Sequence, residues 1–130
     1  NQVTLCPSVF IARSLAKNGN NVYQYHFTRK REGSEKILSY HGAEIPYVFN
    51  THDEWLPTNE NDIKLTKAMM EYWVEFAKKG TPNSINNPTW KEFGIEENYL
   101  ILDQSLENSA KLENEFCEVM IEEMTQRASL

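Results

Sequence analysis

The chain has 130 residues, of which 40% are apolar, 12% aromatic and 25% charged; that is domain-sized globular composition and excludes a disordered chain. A formal charge of -6 and a pI near 5.1 argue against nucleic acid, whose backbone requires a basic face. No apolar run approaches the roughly 20 residues that cross a bilayer, so no transmembrane span is expected.

In chain order, Pro7 suits the first turn of a helix ending near Lys17, with Val9, Phe10, Ala12, Leu15 and Ala16 on its apolar side and Asn18-Gly19 as its stop. Residues Val22 to Thr28 read as a strand, with Tyr23, Tyr25 and Phe27 on one face and Val22, Gln24 and His26 on the other. The basic run Arg29-Lys30-Arg31 reads as part of a solvated loop over residues 29–40. A second polar loop reaches Asn61. Asp62 can then cap the strongest helix, which ends at Gly80. Its apolar side is expected to carry Ile63, Met70, Trp73 and Ala77, widened by Leu65, Met69, Tyr72 and Phe76. Lys67/Glu71 and Glu75/Lys79 have i,i+4 spacing for ion pairs on the outside. A loop over residues 81–88, a short strand at Tyr99 to Leu102 and a last helix from Asn108 or Ser109 complete the pattern. That last helix offers Leu112, Phe116, Val119, Met120 and Met124 as apolar positions, with Glu113, Glu115, Glu118, Glu122 and Glu123 as a solvated acidic face. The order is α/β, yet two strands make no stable sheet alone. Cys6 and Cys117, far apart in sequence, fit either free buried thiols or a disulfide. No Cys/His spacing marks a metal site.

The segment His41-Gly42-Ala43-Glu44-Ile45-Pro46-Tyr47-Val48-Phe49 closely resembles the stretch that bears the catalytic histidine in type-B carboxylesterases, a group that includes lipases and cholinesterases. Further landmarks stand in family order: Leu5-Cys6-Pro7, Val22 to Phe27, Tyr72 to Asn83, Trp90-Lys91-Glu92-Phe93 and Tyr99 to Leu102. Lys91 departs from the family's usual Trp-Pro. The resemblance implies the C-terminal part of an α/β-hydrolase, a mostly parallel central sheet flanked by helices. Residues 1–130 are then one segment of a single domain, completed by a separate N-terminal segment or chain. Triad order in that fold is Ser, then Asp or Glu, then His, so the companion segment must carry the serine and the acid. No G-x-S-x-G elbow occurs in this chain, in agreement.

The implied activity is hydrolysis of carboxylic esters through an acyl-enzyme, with ester and water as substrates and no metal or organic cofactor. His41 is the expected catalytic residue: an imidazole, with an ordinary pKa of about 6.5, passes protons to and from alcohols near neutral pH. Gly42 lets the backbone turn tightly beside it. By resemblance, Glu44 is expected to be buried near the active site, where it holds a hydrogen-bond network. His26 reads as structural, and His52, beside Asp53 and Glu54, as a surface residue. The Met69-Met70, Tyr72-Trp73 and Phe76 cluster invites an acyl-pocket reading but at helical spacing is core. The resemblance also implies a Cys6–Cys117 disulfide tying the first helix to the last, and with it a secretory, extracellular location. The last helix is a candidate homodimer contact, as in cholinesterases. The rival reading is a catalytically inactive adhesion or ligand-binding relative, in which a triad residue is lost.

Overall fold

A computed structural model describes residues 2–33, 39–112 and 115–128. Among these residues, four helices, α1 (Gln2–Lys17), α2 (Ile45–Phe49), α3 (Glu60–Lys79) and α4 (Glu115–Ala128), accompany three strands, β1 (Gln24–Phe27), β2 (Asn98–Leu102) and β3 (Leu106–Ala110). The chain packs as two compact units, one of Asn1–Gln24, Lys91–Tyr99 and Ser109–Leu130, the other of Tyr25–Trp90 and Leu100–Asn108.

In the first unit α1 packs on α4. Cys6, Val9, Cys117 and Ile121 form its buried cluster, with Leu5, Phe10 and Met120 against it. Cys6 and Cys117 are joined by a disulfide across 111 residues of sequence, the pairing that the resemblance implied. Pro7 does not start α1 but lies inside it. Packing and the crosslink at the preceding residue outweigh the roughly 3 kcal/mol that an interior proline costs a helix. The stop is where it was expected: Gly19 has φ +78, and the N–H groups of Gly19 and Asn20 donate to the carbonyls of Ala16 and Leu15, the pairing of a left-handed helix end. On α4 the buried positions are Cys117 and Ile121, whereas Phe116 and Val119 are exposed. The disulfide decides which stripe of this helix turns inward.

Most of the sheet lies in the second unit, in the order β1-β2-β3. Thr28, just past β1, donates its N–H to Leu102 at the end of β2, so these two strands run parallel. Three residues connect β2 to β3, too few for a crossover, so that pair is an antiparallel hairpin and the sheet is mixed. Strand β3 corrects the expected helix start at Asn108 or Ser109. Asn108 instead ties the hairpin down, its side-chain amide donating to the Thr89 carbonyl at 2.8 Å. Leu100 and Leu102 are fully buried.

Helix α3 is capped by Asn59, not by Asp62. The Asn59 side chain accepts from the backbone of Asn61 and Asp62, and Asp62 returns a bond to the Asn59 N–H, which is a capping box. The buried face is Asp62, Leu65, Thr66, Ala68, Met69 and Tyr72, while Ile63, Met70 and Phe76 are exposed. The apolar cluster read from the sequence is therefore split between core and surface. Glu75 pairs with Lys79 as expected. Glu71 instead accepts from the side chains of Asn86 and Asn87. Asn83 spans the backbone of Trp90, accepting its N–H at 2.7 Å and donating to its carbonyl at 3.0 Å. Trp90 is thereby held among Tyr25, Tyr72 and Trp73.

Candidate functional site

His41, Gly42 and Glu44 share one turn that leads into α2. The turn is knit by Ala43 N–H to the Tyr40 carbonyl at 3.0 Å and Ile45 N–H to the Gly42 carbonyl at 3.1 Å. Gly42 has φ +85, where a side-chain Cβ would be strained by about 1–2 kcal/mol. The glycine thus serves the tight turn that its position suggested. His41 is exposed, and among the described residues its ring has no hydrogen-bond partner.

Glu44 occupies the N-cap of α2 without a side-chain capping bond and is half-buried. Its charge adds to burial in raising the Tyr25 phenol above its ordinary value. Beside it, Ile45, Val48 and Phe49 of α2 face Met70, Trp73 and Val74 of α3 across an open groove of about 480 Å³. Among the described residues Glu44 is the one charged residue lining it. This stretch thus carries an exposed imidazole on a glycine turn and, three residues on, a carboxylate that borders an apolar groove.

Helix α2 has five residues, far too short to persist by its own hydrogen bonds. Its anchor is Tyr47, 1% exposed. The Tyr47 hydroxyl donates to Asp62 Oδ1 at 2.7 Å, and Arg29 Nε donates to the same oxygen at 2.8 Å. Asp62 Oδ2 accepts the Asn59 N–H at 2.9 Å. Burial alone would raise the Asp62 carboxyl, but Arg29, the Asn59 amide and the Tyr47 hydroxyl together hold it below its ordinary value. Burial, then the bond to Asp62, pushes the Tyr47 phenol up, so it stays a donor. The Tyr47 ring also meets Phe27 and His52 edge-on, each at 5.1 Å, and carries the Arg31 guanidinium 4.8 Å from its centre.

Arg29 is 5% exposed, and Arg31 bonds Thr58 and the Pro57 carbonyl. The basic run is therefore not a solvated loop; of its three residues only Lys30 is exposed. The reading of His52 as a surface residue also fails. Arg31 lies 2.9 Å from His52 Nδ1, and His52 Nε2 lies 2.7 Å from Thr66 Oγ1. Guanidinium only donates, so Nδ1 must accept and Nε2 must carry the proton. The Thr66 hydroxyl passes its own hydrogen to the Asp62 carbonyl at 2.8 Å. Burial first, then the Arg31 charge, lowers the His52 pKa, in keeping with this neutral form. His26 is exposed on β1. Arg29, Arg31, Tyr47, Asp62 and Thr66 were not expected at the site. The only sequence signal for them is the Asn59-to-Asp62 spacing of a capping box. Among the described residues no cluster of His, Cys, Asp or Glu could hold a metal ion, and no helix is long and apolar enough to cross a membrane.

Comparison with known proteins converges on one group. The profile described as "Carboxylesterase family" matches residues 1–120. Carboxylesterase 1E of Rattus norvegicus is 32% identical over 111 residues, which are 82% of this chain and 20% of that protein. Carboxylesterase 1C of Mus musculus is 32% identical over 114 residues, 84% of this chain and 21% of that protein. A medium-chain fatty acyl-CoA hydrolase precursor of Anas platyrhynchos is 30% identical over 110 residues, 81% and 20% of the respective chains. The chain thus spans about a fifth of the length of the relatives it matches. Among solved structures, a PNB esterase superposes with a TM-score of 0.66 at 24% identity, covering 75% of this chain and 21% of that one. The shared architecture is that of part of an α/β-hydrolase.

Proposed function

Because the chain belongs to the carboxylesterase family, we propose that it contributes the triad histidine, His41, to a serine hydrolase that cleaves carboxylic esters. The observation that carries this reading is the exposed His41 ring, without a hydrogen-bond partner among the described residues, on a left-handed glycine turn whose following helix is clamped at Tyr47. An imidazole so presented can take a proton from a serine hydroxyl on one nitrogen while a carboxylate orients the other. It returns that proton to the leaving alcohol, then draws one from water to release the acyl group. Serine, acid and oxyanion donors come from a companion N-terminal segment of the same domain, and ester and water are the substrates. Gly42 shapes the turn, and Glu44, three residues after His41, supports the site.

The open groove supports completion by further polypeptide, since Ile45, Phe49, Met70 and Val74 line it and are exposed, and contiguous apolar patches mark surfaces that something covers. The Cys6–Cys117 disulfide supports folding in an oxidising, secretory compartment. Phe116 and Val119, exposed on α4, support this helix as a homodimer contact. The test is labelling of the intact enzyme with a fluorophosphonate. Labelling should be specific and should vanish in His41→Ala; undiminished labelling of that variant would remove His41 from the mechanism.

A further inference from the structure

We infer that Asp62, acting through Tyr47, is a positioning residue for His41. The inference rests on the catalytic reading of His41 above. The His41 ring makes no bond of its own within the described residues, so its direction is set by the turn that bears it. That turn is continuous in hydrogen bonds with α2, from Ala43 and Ile45 back to Tyr40 and Gly42 and from Tyr47 N–H to the Glu44 carbonyl at 2.9 Å. Within α2, Ile45 and Phe49 are exposed, and Tyr47 is the one buried side chain. One phenol therefore fixes the helix, and its hydroxyl ends on Asp62 Oδ1.

Asp62 is itself immobilised from three directions. Arg29 reaches it from the end of β1, the Asn59 amide from the helix cap, and Thr66 holds its carbonyl from the next turn of α3. Such a carboxylate, 1% exposed at the start of a 20-residue helix, is a fixed point relative to which the short helix is aimed. Misplacing a proton-transfer group by about 1 Å costs on the order of 100-fold in rate, so a loosened Tyr47 should be read in turnover before it is read in folding. Neither residue needs to touch substrate for this effect.

The experiment uses the full-length enzyme and a chromogenic ester, comparing Tyr47→Phe, Asp62→Asn, the double variant and His41→Ala. Tyr47→Phe keeps the ring and leaves Asp62 its bonds from Arg29 and Asn59, so it tests the link even if Asp62→Asn fails to fold. Each folded single variant should lose about 10-fold or more in kcat, with KM within about twofold. The double variant should be no worse than the poorer single, since both break one link. Wild-type kcat in a folded Tyr47→Phe enzyme, or an equal loss carried in KM, would overturn the proposal. If His41→Ala abolishes turnover while Tyr47→Phe is unaffected, the positioning role alone falls. If His41→Ala retains turnover, the catalytic reading falls and takes this role with it.

Discussion

The two units of the chain are fastened by opposite chemistry. In the first, Cys6 and Cys117 are bonded to one another among Val9 and Ile121, and nothing in that cluster titrates. In the second, the fastening is polar: a carboxylate, a guanidinium and a phenol meet out of water at Asp62, Arg29 and Tyr47, with His52 and Thr66 extending the chain of donors. The disulfide does not titrate and is broken only by reduction, although Arg13 adds ion pairs to Glu97 and Glu118 in the same unit. The polar fastening is indifferent to reductants and exposed to pH, and it is the one that adjoins the His41 turn. A crosslink tolerates loose packing around it. A buried ion pair does not, because each partner lost leaves another stranded.

Breaking the covalent side should cost most. Replacing Cys6 and Cys117 together in the intact enzyme should lower its unfolding free energy by about 4–5 kcal/mol, the loop-entropy value for a closure of this length. Urea titration with and without reductant checks it; a variant as stable as wild type would show that the crosslink adds nothing. On the polar side, Asp62→Ala should cost about 3–5 kcal/mol, because Arg29 and Tyr47 would remain buried without their acceptor. In the wild type the Asp62 contribution is present above its ordinary pKa of 3.8, since the folded value is lower, and it fades as pH falls through that folded value.

The smallest expected effect is the most specific to this network. The folded pKa of His52 lies below its ordinary 6.5, so only the unfolded chain takes up the proton as pH drops past 6.5. Stability conferred by neutral His52 should therefore be whole above that pH and decline below it. Protonation would set an N–H against the Arg31 donor 2.9 Å away. His52→Gln can accept from Arg31 and donate to Thr66 without titrating, so melting temperatures between pH 7 and 5 should fall less steeply in that variant. Parallel slopes would mean that His52 does not govern the response.

What the sequence revealed, and what it hid, follows the same division. Local signals were legible. Gly19 and Gly80 end their helices in left-handed conformations, Glu75 pairs with Lys79 one turn on, and the glycine beside His41 adopts the positive φ that the turn demands. The family pattern supplied the disulfide. Long-range choices were hidden. Nothing in Arg29-Lys30-Arg31 says that the outer two arginines turn inward, because the partners that make this affordable lie at residues 52 to 62. Burial on α3 and α4 was misjudged for the same reason: hydropathy nominated Met70, Phe76, Phe116 and Val119, whereas the disulfide and the Asp62 network select the neighbouring stripes. Strand β3, Leu-Glu-Asn-Ser-Ala in sequence, has little strand propensity and forms because β2 offers it an edge.

The most direct test is turnover of a chromogenic ester by full-length His41→Ala enzyme, measured with and without free imidazole. If His41 is the proton carrier, the variant should lose on the order of 10⁴-fold or more in kcat, and added imidazole should restore part of it in a concentration-dependent way. Turnover within about tenfold of wild type in the folded variant, unmoved by imidazole, would contradict the account.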